Sequence, residues 1–281
     1  MPNKSFSFYH SEKFTVDKSD RLIMEIATSH LAVIVFRETE KAIVAFEMFN
    51  FPEEQLVDFP TLYQTVSTDS NILSQPLFSA EVYVNNEFCI SVPIYKFSKE
   101  IAHDYLNVVF GPSATTVIKF EHLPVEPGIM NVYRINESCL KFLTANFQKI
   151  SFHHSYSTMI RRVIKKIYVY PAEFISIQFY HTFMIVLVVK DGAFHLIQTF
   201  AYQTPEDVLY FLLNITDKLK LFSENLTIQI SGMIDLDFQL YRELIKHFKN
   251  VMVHNVKNSL LQLDLKEHPQ HYFTPFFNLA L

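Results

Sequence analysis

The chain repeats one pattern of short apolar segments, and this repeat limits its fold more than any other feature. Residues 22–50 read LIMEIATSHLAVIVFRETEKAIVAFEMFN, and residues 173–201 read EFISIQFYHTFMIVLVVKDGAFHLIQTFA. In each copy, apolar and β-branched runs alternate with short polar breaks, which predicts three antiparallel strands joined by tight turns. Two such copies in one chain indicate an internal duplication.

An ungapped alignment at an offset of 151 residues pairs 27 positions of the two copies, from Ile23 with Phe174 to Phe49 with Phe200. Identical residues at apolar strand positions carry little weight, so the interpretation depends on the matching lengths of strands and turns. This alignment places His30 and His181 at equivalent turn positions.

Alternating helices and strands are predicted after the second copy. Thr204 and Pro205 form a strong helix start, with threonine as N-cap and proline at the first helical position. A strand at 226–231, a helix capped by Asp235 or Asp237 and a strand at 251–253 follow. The predicted order of the second half is therefore β-β-β-α-β-α-β.

The first half follows the same order less regularly, and we divide the chain into units 1–168 and 169–281. Pro60 is expected to interrupt a helix that begins near Pro52. The remaining predicted elements are a strand pair around 81–93 that turns at Asn85 and Asn86, a helix at 98–109, short strands at 117–120 and near Val132, and helices near Cys139 and Arg161.

Three antiparallel strands followed by alternating helix and strand, occurring twice, resemble the ribonuclease-H-like unit that is duplicated in the actin-like ATPase superfamily. Within that superfamily the chain is most similar to the non-filament proteins of pilus-assembly and secretion platforms, and to an uncharacterised bacterial family with a domain of unknown function. The resemblance covers nearly the whole chain. It implies an α/β fold with mixed sheets, arranged as two lobes around a nucleotide cleft.

The nucleotide motifs of that superfamily are degenerate in this chain. Working relatives carry an Asp-x-Gly turn in which the aspartate holds the metal-bound water and the glycine lets backbone N–H groups reach phosphate. Here Glu25 stands near the aspartate and Ala27 near the glycine, while ISIQ at 175–178 replaces the motif in the second half. The resemblance gives these nucleotide-cleft candidates: Glu25, Thr28, Ser29, His30, His181, Gly232 and Met233.

Glycine content agrees with the loss of phosphate-binding loops. The chain has 4 glycines, whereas average usage would give about twenty. Loops that wrap phosphate usually need glycine for positive φ and for close backbone approach. We therefore predict no catalytic residue, no metal site and no cofactor, with Mg-ATP as a ligand only if the chain is a divergent enzyme.

Two of these candidates have less specific explanations. We interpret Glu25 as a strand-edge or solvent-facing residue, with a metal ligand as the alternative, since no companion carboxylate stands out on neighbouring strands. His30 and His181 are interpreted as inherited turn residues. The alternative for them is a titrating or metal-binding pair across the cleft.

A basic patch is another candidate site, formed by Arg161, Arg162, Lys165 and Lys166 on a predicted helix. It could contact RNA, an acidic protein or lipid headgroups. We interpret it as a solvated helix face, because the net charge is −5 and a nucleic-acid partner is therefore unlikely. The aromatic residues of the C-terminal segment are expected to close the core.

The leading hypothesis for function is a non-catalytic, pseudo-ATPase actin-like protein that acts as an intracellular interaction or assembly module. One alternative is a divergent ATP-binding phosphotransferase or ATPase that uses Glu25, Thr28 and Ser29, and a second is a nucleic-acid-binding ribonuclease-H-like protein. Two distant cysteines and no long apolar run favour a cytoplasmic location without membrane insertion. The protein partner is unknown, and a homodimer is one option.

Overall fold

A computed structural model of the chain describes residues 2–125, 128–166, 170–221 and 224–281. The chain forms two compact units. The first contains Met1–Ser157, Lys257–Lys266 and Leu279–Leu281, and the second contains Thr158–Val256 and Glu267–Asn278. The predicted boundary between residues 168 and 169 lies outside the described residues.

The first unit holds nine strands and three helices among its described residues, and α4 begins there. The strands are β1 (Asn3–Tyr9), β2 (Arg21–Ala27), β3 (His30–Arg37), β4 (Ala42–Asn50), β5 (Ser79–Asn85), β6 (Cys89–Pro93), β7 (Thr116–Leu123), β8 (Ile129–Asn136) and β9 (Lys149–His154). The helices are α1 (Phe59–Asp69), α2 (Ala102–Phe110), α3 (Glu137–Asn146) and α4 (Ser155–Lys165). Short 3-10 turns cover Glu53–Asp58 and Ile94–Lys96.

Its central sheet has the strand order β1-β4-β3-β2-β5-β9. The predicted meander is confirmed, because β3 pairs antiparallel with both β2 and β4. The strands β2, β5 and β9 run parallel to one another. Nearly every residue of β2, β3 and β4 is buried, which explains why these segments read as continuous apolar runs in the sequence.

The predicted pairing of two strands around 81–93 is wrong. The strand β5 pairs with β2 and β9, whereas β6 belongs to a separate sheet of order β6-β8-β7. Asn85 and Asn86 favour a turn, but turn residues do not determine which strands pair. The Asn86 side chain instead fixes a connection between the sheets, since its Nδ2 donates to Arg134 O at 3.1 Å and its Oδ1 accepts from Phe88 N–H at 2.9 Å.

The expectation that Pro60 interrupts a helix is also wrong. Pro60 lies in the first turn of α1, after the 3-10 turn. Proline is tolerated in that turn because the N–H group it lacks has no intrahelical partner. Asp58 caps the helix by accepting from Thr61 N–H.

The second unit repeats the strand order of the first. Its elements are β10 (Glu173–Phe179), β11 (Phe183–Lys190), β12 (Ala193–Ala201), α5 (Pro205–Leu219), β13 (Leu226–Gly232), α6 (Gln239–His247), β14 (Asn250–Val253) and α7 (Thr274–Phe277). The sheet order is β12-β11-β10-β13-β14, equivalent to β4-β3-β2-β5-β9. The fold is thus α/β with mixed sheets, as predicted. That the units arose by duplication stays a prediction.

Of the two helix starts predicted in the second unit, one is confirmed and the other is wrong. Thr204 is the N-cap of α5 and forms a capping box with Asp207, as its position before Pro205 predicts. The N-cap of α6 is Phe238, without a side-chain cap. Asp235, one of the two predicted caps, instead accepts from the Asp237 N–H at 2.9 Å and so stabilises the preceding turn.

The ungapped alignment of the two copies is wrong for their first two strands. Glu25 pairs with Ala32, and its counterpart Gln178 pairs with Ile185, so these strands correspond at an offset of 153 residues. The β3–β4 turn spans residues 38–41, whereas the β11–β12 turn spans only 191–192, which restores the offset of 151 in the third strand.

The corrected alignment separates the two histidines. His30 begins β3 and corresponds to Phe183, while His181 corresponds to Thr28 in the preceding turn. Their predicted equivalence is therefore wrong. Since side chains alternate between the faces of a sheet, a shift of two residues leaves the hydrophobic pattern unchanged, and the pattern could not reveal the error.

Aromatic residues of the C-terminal segment close the core of the second unit, as predicted. Phe273, Phe276 and Phe277 are fully buried. Phe276 packs edge-on against Tyr180, with 5.7 Å between the ring centroids.

Gly232 ends β13 at a point where the backbone allows no side chain. Its φ is +93°, and a Cβ atom there would lie 2.0 Å from Phe179 O. The same carbonyl accepts from the Met233 N–H at 2.8 Å. Gly232 is therefore explained by the close approach of two neighbouring strand ends.

We predict that Gly232→Ala destabilises the second unit by more than about 3 kcal/mol, because a steric clash adds to the backbone strain of about 1–3 kcal/mol. Urea unfolding followed by circular dichroism measures the loss. Gly192→Ala is the matched control, since φ at Gly192 is +71° but no atom lies within 4 Å of an added Cβ. Equal losses in the two variants would contradict the steric explanation.

Candidate functional site

The carboxyl ends of the parallel strands β2, β5 and β9 bring polar side chains together in the first unit. Glu25 lies near the end of β2, Asn85 ends β5, and His154 ends β9. Ser155 follows at the first position of α4. Ligands of open α/β sheets bind outside these strand ends, so this edge is the candidate functional site of the unit.

Glu25 is the centre of this group and is completely buried. Its Oε1 accepts from His30 Nε2 at 2.9 Å and from Asn85 Nδ2 at 3.1 Å, and its Oε2 accepts from Ser155 Oγ at 3.2 Å. The interpretation of Glu25 as a strand-edge or solvent-facing residue is wrong, because β2 lies between β3 and β5. Both oxygens of the carboxylate are engaged by neighbouring protein groups.

His154 is a neutral histidine at the end of β9, in register with Ile26 and therefore on the opposite face of the sheet from Glu25. Burial lowers its pKa to about 3, although the charge of Glu121 and the Asn86 carbonyl act in the opposite direction. Its Nδ1 accepts from the Tyr156 N–H at 3.2 Å, so the proton of the neutral ring is on Nε2. The Nε2 atom is buried, and the Asn86 carbonyl is the nearby acceptor that favours a proton on the ring.

A pocket of about 290 Å³ adjoins the group and is lined by the β2–β3 turn, the 3-10 turn and β5. Among the described residues that line it there is no lysine or arginine, and Glu53 is its single charged residue. Asn85 connects the pocket to Glu25, and its Oδ1 is buried without a hydrogen-bond partner. The lining is mostly apolar and can hold a small apolar group. It offers no cation to phosphate.

The other nucleotide-cleft candidates divide between the two units. Thr28 and Ser29 form the β2–β3 turn, where Thr28 lines the pocket and Ser29 O accepts from the Phe51 N–H at 3.0 Å. His181 is exposed in the β10–β11 turn, and Gly232 and Met233 follow at the end of β13. The structure thus brings Glu25, Thr28 and His30 to one edge of the first unit.

The predicted basic patch is not uniformly exposed. Lys165 and Lys166 are exposed at the end of α4, while Arg161 and Arg162 are partly buried. The interpretation as a solvated helix face is wrong for Arg162, whose Nη1 is shielded from solvent. The residues of this helix that face the core are Met159, Ile160 and Val163.

Sequence reasoning missed Asn85 and Ser155 as members of the site, and it also missed the buried His154. Asn85 is predicted at a turn, and no site is predicted at His154 or Ser155. The segment KISFHH at 149–154 contains only two apolar residues, Ile150 and Phe152, so β9 is not predicted. In the described part of the chain, no group of three or more histidine, cysteine, aspartate or glutamate side chains could hold a metal ion.

Comparisons with known proteins agree with this architecture. The sequence model of a family described as protein of unknown function (DUF3822) matches residues 11–251. No curated protein matches the sequence. A Bacteroides thetaiotaomicron protein with an actin-like ATPase fold and unknown function has a TM-score of 0.74 at 15% identity, with 86% of this chain and 94% of that chain covered.

A second solved structure, the PilM–PilN type IV pilus biogenesis complex, has a TM-score of 0.59 at 11% identity. The match covers 94% of this chain and 97% of the other. The fold is therefore that of the actin-like ATPases, which is the superfamily that the sequence resembles. Among the described residues, no helix is both long enough and apolar enough to cross a membrane.

We predict that Glu25→Ala destabilises the first unit by about 3–5 kcal/mol, because it removes the carboxylate to which buried groups of His30, Asn85 and Ser155 donate. Glu81→Ala is the matched control on the adjacent strand. The Glu81 side chain is 31% exposed and pairs with Arg21, so its loss should cost about 1 kcal/mol or less. Urea unfolding of both variants measures the difference, and comparable losses would contradict a structural role for the Glu25 network.

As the pH falls, protonation of His154 is predicted to lower the free energy of unfolding. The unfolded chain takes up the proton at a pKa near 6.5 and the folded chain only near 3, so the contribution is complete above pH 6.5 and is lost as the pH falls toward 3. Between pH 7 and pH 5 the loss is about 2 kcal/mol.

Urea unfolding of the wild type and of His154→Leu at pH 7 and pH 5 tests this. The variant should lack that part of the pH dependence. His181→Leu, at an exposed turn, controls for the loss of a histidine without burial. An unchanged pH dependence in His154→Leu would show that folding does not lower the pKa of His154.

Proposed function

This chain belongs to the DUF3822 family of proteins of unknown function, and we propose that it is a non-catalytic actin-like protein that acts as an interaction or assembly module. The observation that carries the proposal is the burial of Glu25, the carboxylate nearest to the position of the catalytic aspartate in ATPases of this fold. A residue that holds a metal-bound water must present its oxygens to the nucleotide. The oxygens of Glu25 accept from His30, Asn85 and Ser155 instead.

The turn after Glu25 supports the same proposal. In ATPases of this superfamily, a glycine here lets backbone N–H groups approach phosphate, but this chain has Ala27, whose side chain is buried. The neighbouring pocket presents the acidic Glu53 and no cation from the described residues. A triphosphate with its metal needs charge neutralisation that this surface does not supply.

An assembly role is supported by a protein complex that contains the same fold. One structure with this fold is a complex of two proteins, PilM and PilN, in type IV pilus biogenesis. We place the present chain in the cytoplasm, with a protein as its partner. A second copy of the chain is one candidate for that partner, which sedimentation velocity tests.

The alternative enzymatic function has one observation in its favour, since Thr28 lines the pocket close to a retained carboxylate. It requires Glu25 to leave its buried hydrogen bonds when Mg-ATP binds. A nucleic-acid-binding function requires a continuous basic surface, whereas Arg162 of the predicted patch is largely withdrawn from solvent. We therefore favour the non-catalytic function.

Calorimetric titration of the full chain with Mg-ATP and Mg-ADP tests the proposal. We expect no saturable heat that depends on the Glu25 edge, and no release of inorganic phosphate from ATP. Thr28→Arg, which places a side chain in the pocket, is the matched variant for any signal that is seen. Micromolar binding that Thr28→Arg abolishes, together with hydrolysis that Glu25→Gln abolishes, would overturn the non-catalytic function.

A further inference from the structure

The Arg162 guanidinium is a charged group without a partner in the described part of the second unit. It lies on the last turns of α4, where its Nη1 is shielded from solvent and makes no hydrogen bond. Burial lowers its pKa to about 10, so the group still carries its charge at neutral pH. A shielded cation without an acceptor is costly, and such a group calls for an explanation, of which an anion-binding role is one.

Two further basic residues lie close to Arg162. Lys166 is four residues further along, and its N–H bonds to Val163 O at 3.1 Å, which continues the helical turn and keeps both residues on one face. His254 follows β14, and its N–H bonds to Ile230 O at 2.8 Å. These three side chains come from two separate segments of the second unit.

The electrostatics of this cluster are uncompensated. The pKa of His254 is lowered to about 4, first by burial and then by the charges of Arg162 and Lys166. The one group that favours the charged form of Arg162 is the Tyr170 hydroxyl. No carboxylate of the described residues is among the groups that shift either pKa.

The cluster also lies at a favourable place in the fold. Ile230 lies near the carboxyl end of β13, and His254 directly follows β14. In open α/β sheets, ligands bind outside this end of the strands. The site is separate from the Glu25 group, which belongs to the first unit.

We propose that Arg162, Lys166 and His254 form a binding site for a phosphate-class dianion. The two positive charges of Arg162 and Lys166 match the two negative charges of phosphate, whereas a carboxylate neutralises only one. A guanidinium and a neutral imidazole supply directed N–H donors, and the lysine adds a flexible one. Free phosphate and the phosphate group of a larger molecule share this chemistry.

Calorimetric titration of the full chain with inorganic phosphate, in a Tris chloride buffer without other oxyanions, tests the site. Saturable binding is expected, and Arg162→Met should weaken it by more than about tenfold. Arg242→Met is the matched control, because Arg242 is an exposed arginine of the same unit. Absence of phosphate binding, or equal affinity in wild type and Arg162→Met, would overturn the proposal.

Thermal unfolding in the same buffer gives a second readout. Without phosphate, Arg162→Met should unfold at the same temperature as the wild type or at a higher one, because it removes a shielded charge. A clear decrease would mean that the guanidinium already has a protein partner, and this would overturn the site. Phosphate should raise the unfolding temperature of the wild type and of Arg242→Met, but not that of Arg162→Met.

The choice of anion distinguishes the chemistry and its source. Acetate that binds as tightly as phosphate would overturn the phosphate-class assignment. Phosphoserine that binds more tightly than inorganic phosphate supports the site and identifies its ligand as the phosphate group of a larger molecule. Inorganic phosphate that binds more tightly supports the site with the free ion as ligand.

Discussion

The first unit depends on one buried carboxylate. Glu25 accepts hydrogen bonds from side chains of β3, β5 and the first residue of α4. These segments lie far apart in the sequence, so a single side chain fixes the antiparallel hairpin, the parallel neighbour and the helix to the same strand. A carboxylate with fewer partners in this position would be strongly destabilising. The hydrogen bonds that stabilise the fold therefore occupy the same two oxygens that a chemical role for Glu25 would need.

Local sequence signals predicted the elements of the second unit well, and relations between elements poorly. Pro205 and the Thr204 cap define α5 through contacts within a few residues, which are present in any chain with that sequence. The register between the two copies depends instead on a difference of two residues in a turn, at positions 38–41 and 191–192. A shift of two leaves every side chain on its own face. Hydrophobic periodicity is therefore blind to it, and only the paired backbone reveals it.

The candidate site was predictable in part for the same reason. The superfamily resemblance identified Glu25, Thr28 and His30, which are close in sequence and lie together in the fold. Asn85 and Ser155 join them only because β5 and β9 run parallel to β2, and such pairing brings together residues 60 and 130 positions from Glu25. Burial, which makes Glu25 structural and His154 neutral, follows from that pairing. No motif in the sequence encodes it.

In this protein, a buried polar group that has hydrogen-bond partners stabilises the fold, whereas a shielded polar group without partners indicates a binding site. Both oxygens of Glu25 accept hydrogen bonds from neighbouring side chains, and its burial is stabilising because these donors bond to it. Arg162 has the opposite character, since its charge is retained, its Nη1 is shielded, and the described residues supply no acceptor. A fold under selection for stability alone would replace such a guanidinium with an apolar side chain of similar size. Its presence near the carboxyl ends of β13 and β14 is explained if an anion from outside the chain pairs with the guanidinium. The second unit is therefore where we expect a ligand to bind.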